Sequence, residues 1–327
     1  MIVEATRRIL VTLLLPLLLW GWVGAIAVDA DFGQAFYLDW TQDGDHDGEQ
    51  LGYAVGTAGD VNGDGYSDVI VGAPTDVYTS DKVGMAYVFH GGGGGLSSSL
   101  NPDWTATGIK GSFFGGAVGT AGDVNGDGYD DVIVGAPAYK NPIIGLGTQG
   151  AVFVFYGSSG GLAETPGWSL IGEQKDSGLG IAVGTAGDVN GDGFDDIIVG
   201  ASGLGGMIHV FFGASDGLTT TRVFTTSSNQ AGALFGYSVG TAGDVNALVG
   251  APAYNISGML DAGAIFIFFG AAEGISTTYT TIYGDQSGAR FGHAVSTAGD
   301  VNGDGYSDII VGAPLYTRDT LVSAGAA

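Results

Sequence analysis

The chain has 327 residues, 45% of them hydrophobic, enough for one large domain or two ordinary ones around a sizeable core. Its 34 acidic residues against 9 basic ones give a formal charge of −25, which excludes a nucleic-acid groove or an anionic membrane surface as partner and favours metal cations as counter-charge. The 63 glycines recur in register with apolar runs, as turn residues between short strands do, and without cysteine no disulfide can hold an exported domain together.

Residues 1–27 read as an export signal. Arg7 and Arg8 precede an apolar run over 9–19, and Ala25-Ile26-Ala27 forms a small-residue cleavage site, so the mature chain begins near Val28. The alternative is an uncleaved anchor over 9–28, which Pro16 and the Gly21 to Gly24 stretch weaken. The acidic alternation DGDHDG at 43–48 looks like a cation loop, but its ninth position is Leu51 and no carboxylate closes it. It aligns with GEQKDSGLG at 172–180 and GDQSGARFG at 284–292, which precede strands, and reads as a connector.

From Gly56 onward the chain repeats itself. GTAGDVNGDGYSDVIVGAP has close copies beginning at Gly119 and Gly184 and an altered one at Ser296. The Asp of each DVN falls at Asp60, Asp123, Asp188, Asp244 and Asp300, with spacings of 63, 65, 56 and 56, the period of a repeat architecture. Each unit carries a strand ending in AVGTAGD or its variant and a β-branched run such as VIVG at 69–72. An aromatic third strand follows, as in AVFVFYG at 151–157, and a variable fourth, as in GWSLIG at 167–172. Four short strands per unit joined by glycine turns predict an all-β fold, a β-propeller of four-stranded blades over 28–327, with five blades visible.

Four units contain D-x-N-x-D-G-x-x-D. Oxygen ligands at alternate positions can converge on one hard cation, and the glycine permits the turn that returns the later ligands. In the first loop Asp60, Asn62, Asp64 and Asp68 would give side chains and Tyr66 its carbonyl. The second would use Asp123, Asn125, Asp127 and Asp131 with Tyr129; the third Asp188, Asn190, Asp192 and Asp196 with Phe194. The last would use Asp300, Asn302, Asp304 and Asp308 with Tyr306. The plain alternative is an acidic turn, yet a turn needs Gly and Asn, not three or four carboxylates whose repulsion a divalent ion relieves. Numerous ligands on a flexible loop favour Ca²⁺ over Mg²⁺. The fourth copy, GTAGDVNALVGAP at 240–252, is six residues shorter and lacks the later carboxylates, so the fourth blade is expected to bind no Ca²⁺.

These units resemble the FG-GAP repeat of the N-terminal propeller of integrin α chains. Phe114-Gly115, Phe235-Gly236 and Phe291-Gly292 are the FG elements, with Leu51-Gly52 and Leu179-Gly180 as relaxed versions. The GAP elements lie at 72–74, 135–137, 250–252 and 312–314, with Gly200-Ala201-Ser202 as a variant, and FYLDWTQ at 36–42 is similar to the integrin α start. The resemblance implies a Ca²⁺ site between the first and second strands of a blade, on the face opposite the one that binds partners. It also implies seven blades, so these five are expected to be part of a longer propeller.

His90-Gly91-Gly92-Gly93, the G-x-S-x-G match at 236–240, Asp285 and His293 together imitate a hydrolase. Repeat alignment removes the attraction, because Ser238 stands where the other blades have Ala54, Ala117, Ala182 and Ala294, and no helix pattern follows it. His46 and His209 have no second His or Cys nearby for zinc, and the aromatic third strands read as core between blades rather than a carbohydrate platform. The expectation is a secreted or cell-surface, non-catalytic, Ca²⁺-binding adhesion module whose partner is an extracellular protein or glycan. A structural spacer in a larger surface protein is the alternative.

Overall fold

The computed structural model describes residues 40–44, 48–74, 83–96, 101–143, 147–203, 205–241, 243, 246–271, 274–318 and 321–327. The expected export signal and the 36–39 part of FYLDWTQ lie outside them. Every regular element among the described residues is a strand, and no helix there is long and apolar enough to cross a membrane.

Four meanders of four antiparallel strands follow one another. The first blade holds β1 (Ala54–Gly59), β2 (Asp68–Ala73), β3 (Val83–Phe89) and β4 (Trp104–Lys110). The second holds β5 (Ala117–Gly122), β6 (Asp131–Ala136), β7 (Ala151–Phe155) and β8 (Trp168–Ile171). In the third are β9 (Leu179–Gly187), β10 (Asp196–Ala201), β11 (Met207–Phe211) and β12 (Phe224–Thr226). The fourth contains β13 (Ser238–Thr241), β14 (Asn246–Ala251), β15 (Ala264–Ala271) and β16 (Gly274–Tyr283), and a fifth sheet pairs β17 (Ala294–Gly299) with β18 (Asp308–Gly312). Successive first strands lie beside one another, β1 against β5, β5 against β9, β9 against β13 and β13 against β17, as in the inner ring of a propeller.

The second strands are continuous apolar runs because neighbouring blades cover both their faces. All six residues of β6 and of β10 are buried. Core clusters form between blades: Ile70, Val88 and Trp104 of the first meet Val132, Val134 and Phe155 of the second, and Ile133, Val154 and Trp168 meet Ile197, Val199 and Phe211 of the third. Each such buried side chain contributes roughly 1.5–3 kcal/mol. The fourth-strand aromatic packs edge-on against the next blade's third strand, with centroids 4.9 Å apart for Trp104–Phe155 and 5.0 Å for Trp168–Phe211. Each of these tryptophans also donates its indole N–H to the next blade, to Ala163 O at 2.9 Å and Thr219 O at 3.2 Å.

The two glycines of FG and GAP interlock. Gly180 has φ +84°, donates no side chain to the crowded junction, and lays its carbonyl against Gly135, where an added Cβ would sit 2.1 Å from that oxygen. The same approach, at 2.0 Å, recurs between Gly72 and Gly115 and between Gly200 and Gly236.

Candidate metal loops

Each loop joins a first strand to a second, so all of them emerge at one end of the blades; the connectors from second to third strand, and from blade to blade, emerge at the other. At the first loop, Asp60 collects three amides: Oδ1 accepts from Gly63 N at 2.8 Å and Asp64 N at 3.0 Å, and Oδ2 from Gly65 N at 2.8 Å. Asn62 Oδ1 accepts from Asp64 N at 2.9 Å while its Nδ2 donates to Asp64 Oδ2 at 3.1 Å. Gly63 and Gly65 take φ of +73° and +87°, which turns these amides inward. Asp123, Asp188 and Asp300 gather the corresponding amides in the same way. Those amides, Gly305 first, hold the exposed Asp300 below the usual carboxylate range.

The ninth-position aspartates begin the second strands and turn inward. Asp68 accepts from Val61 N at 3.0 Å and Gly91 N at 2.8 Å, tying the loop to the end of the third strand. Asp131 takes Val124 N and Gly157 N, Asp196 takes Val189 N and Gly213 N, and Asp308 takes Val301 N. Burial outweighs these amides and pushes Asp68 upward and Asp131 and Asp196 up to about 7. The aromatic seventh residues follow the third ligand, with Tyr66, Tyr129, Phe194 and Tyr306 each donating N–H to the preceding aspartate, Asp64, Asp127, Asp192 or Asp304.

Two residues outside the expected sites bind the loops in series. Asp130 Oδ2 accepts from Asp60 N at 2.7 Å, and Asp130 N donates to Asp60 O at 3.1 Å. Asp195 repeats this on Asp123, at 2.9 Å and 3.1 Å. Desolvation raises both carboxyls. The signal was present in the sequence as the doubled Asp of YDD and FDD at the eighth and ninth positions, where the first and last loops have Ser67 and Ser307.

The fourth blade differs as its length requires. Thr241 pairs with Ala247 as Thr57 pairs with Val69, so Asn246 begins β14 at the register of Asp68. The missing segment is therefore the whole turn from the third to the eighth loop position, and Asn246 belongs to the strand rather than to a remnant loop. Asp244 lies outside the described residues.

Among the described residues, no group of three or more His, Cys, Asp or Glu side chains stands assembled as a metal cage. The donor chemistry nonetheless fits a hard cation. Each intact loop supplies carboxylate and amide oxygens alone, and Asp60 Oδ2, Asn62 Oδ1 and the two Asp64 oxygens, which accept one hydrogen bond each, keep a second lone pair. Neither ion pair found among the described residues, Lys175–Asp176 or Arg222–Glu173, involves a residue of these loops. Asp60, Asn62, Asp64 and Asp68 with the Tyr66 carbonyl are the groups that would hold the ion, and Asp68 also ties the loop to Gly91.

Stacked four-stranded meanders with side-by-side first strands and a loop of this kind between the first two strands define a β-propeller repeat protein. The repeats are FG-GAP repeats: the family profile described as FG-GAP repeat matches residues 51–89, 114–155, 179–211 and 291–327. The shortened fourth unit is outside those matches. Among curated proteins, the chain is 36% identical over 167 residues to integrin alpha-PS5 of Drosophila melanogaster, covering 49% of this chain and 16% of that protein. It is 30% identical over 247 residues to integrin alpha pat-2 of Caenorhabditis briggsae, covering 69% and 19%, and 34% identical over 192 residues to integrin alpha-IIb of Mus musculus, covering 56% and 18%. The matched stretch thus spans less than a fifth of each of these relatives. A solved structure, Bacillus licheniformis rhamnogalacturonan lyase PL11, aligns over 80% of this chain and 57% of its own at 15% identity and a TM-score of 0.34, too distant to carry an argument.

Proposed function

We propose that the chain is an exported, Ca²⁺-stabilised FG-GAP propeller that acts outside the cell as a binding or adhesion module, without catalysis. The observation that carries this reading is the loop built four times on one plan, each gathering acidic oxygens at one rim. Likeness to integrin α chains supports the adhesive role. The hydroxyl of Ser238 donates to Gly292 O at 2.9 Å, joining the fourth blade to the fifth, which favours a packing role over a nucleophilic one.

Calcium titration with calorimetry and thermal melting tests the reading. The expected outcome is binding to four sites with dissociation constants of about 10⁻⁴ to 10⁻³ M, the range of extracellular modules, and a melting temperature that rises with Ca²⁺ and falls with chelator. No heat of binding together with an unchanged melting temperature would overturn the metal assignment.

A further inference from the structure

At the connector end of the third blade, opposite the acidic loops, lies a small open cleft of about 50 Å³, lined among others by Glu173, Leu179, Met207, His209 and Arg222. Its origin is a local change in the repeat. In the second blade Phe153 pairs with Val134 across the strands and packs on Phe114 at 5.6 Å and Tyr139 at 6.1 Å. In the fourth, Phe266 pairs with Val249 and packs on Phe235 at 5.1 Å and Tyr254 at 5.7 Å. The third blade places His209 at that register, opposite Val199, and Leu179 in place of the FG phenylalanine. The tyrosine's place is taken in the sequence by Leu204. Two neighbouring blades fill this junction with three rings; the third keeps none but an imidazole.

Polar groups of the third blade, His209, Arg222 and Glu173, face the space. His209 is only 6% exposed, and its Nδ1 lies 3.0 Å from Thr225 Oγ1, so Nε2 is the ring's remaining polar atom. Arg222 Nη2 meets Glu173 Oε1 at 3.2 Å, with the glutamate side chain 73% exposed and the arginine 27%. Arg222 Nε is buried with no hydrogen-bond partner. A guanidinium used at one nitrogen by a solvated glutamate, with its adjacent N–H unused, is a carboxylate fork half filled.

We propose that this cleft binds a carboxylate borne on a small organic group, which displaces Glu173 and engages Arg222 through Nε and Nη2 together. Glu173 acts as a placeholder that leaves toward solvent. The stem of the ligand lies against Leu179 and Met207, and His209 offers Nε2 to a second oxygen. An acidic peptide side chain and a sugar acid share this chemistry. The site is independent of the calcium loops.

The test uses the full chain at physiological salt, following the Arg222 Nε–H and His209 ring signals by NMR. The probes are acetate, N-acetyl-aspartate amide and methyl glucuronoside, with acetamide as the neutral control. The expected result is a saturable shift of both signals with carboxylates and none with acetamide. The tighter of the two larger probes identifies the source. Glu173→Gln should tighten binding by up to about fivefold, the scale of an exposed ion pair given up, and Arg222→Lys should abolish the shift of His209. Absence of a saturable shift with every carboxylate, equal shifts with acetamide, or unchanged affinity in Glu173→Gln would overturn the proposal. If Arg222→Lys does not fold, the Glu173→Gln titration decides alone.

Discussion

Single atoms decide the joints between blades. Gly135 has room for no side chain, because Gly180 O would lie 2.1 Å from its Cβ, while Gly119, in the middle of a first strand, has nothing within 4 Å. Gly135→Ala is therefore expected to cost about 3 kcal/mol in urea unfolding, the upper range for overpacking, and Gly119→Ala within about 0.5 kcal/mol. Equal costs would remove the interlock as the reason for the paired glycines. His209 supplies a second test. Burial, aided by the Arg222 charge, pushes its pKa down to about 4 from 6.5. A depressed pKa means that the neutral ring's contribution is complete above the unfolded value and is lost as pH falls from 6.5 through about 4. His209→Phe restores the residue type of the second and fourth blades. Its unfolding free energy should decline less than the parent's between those pH values, by on the order of 3 kcal/mol at full titration. Parallel stability profiles would show that His209 does not titrate as its burial requires.

At the scale of the element, the loop proposed to cradle a cation is also a link to the next blade. Removing Asp130 leaves the Asp60 amide without its acceptor, so Asp130→Ala should cost about 1–3 kcal/mol, and Ser67→Ala, at the same loop position in the first blade, within about 0.5 kcal/mol. Urea midpoints measure both. The fourth blade offers the constructive counterpart. Insertion of Asn-Gly-Asp-Gly-Tyr-Ser between Val245 and Asn246, combined with Asn246→Asp, rebuilds the loop at the register the strands already hold. Calorimetry should then count one more Ca²⁺ than in the parent. An unchanged count alongside a folded protein would mean that the loop sequence does not suffice without its neighbours.

For the whole molecule, the charge of −25 sets the response to solution conditions. In chelator, the melting temperature should rise as NaCl goes from about 0.01 M to about 1 M, because the Debye length falls from about 30 to about 3 Å and self-repulsion is screened. The further gain from Ca²⁺ should be smaller at the higher salt. A melting temperature independent of salt would show that the acidic rim carries little destabilising repulsion.

Much of this protein was written in local pattern. The alternation of AVGTAG, VIVG and aromatic runs placed the strands of four blades, and D-x-N-x-D-G-x-x-D placed the loops between the first and second, because strand period and turn chemistry act over a few residues. The reading of Asn246 as part of a shortened loop was legible only in part. Its residue type suits the third ligand position, and strand pairing alone assigns it to the closing one. The links from Asp130 to Asp60, from Trp104 to Ala163 and from Gly135 to Gly180 join residues of successive blades that are distant in sequence. The cleft around His209 lies within the third blade and exists because rings present in two other blades are absent from it, which only the packed structure shows. The sequence by itself determined the repeat, its strands and the position of its acidic loops, since these depend on contacts within one unit. Only the tertiary structure decided how each unit grips the next, because that depends on which atoms meet when two repeats are stacked, and no periodicity within either one specifies it.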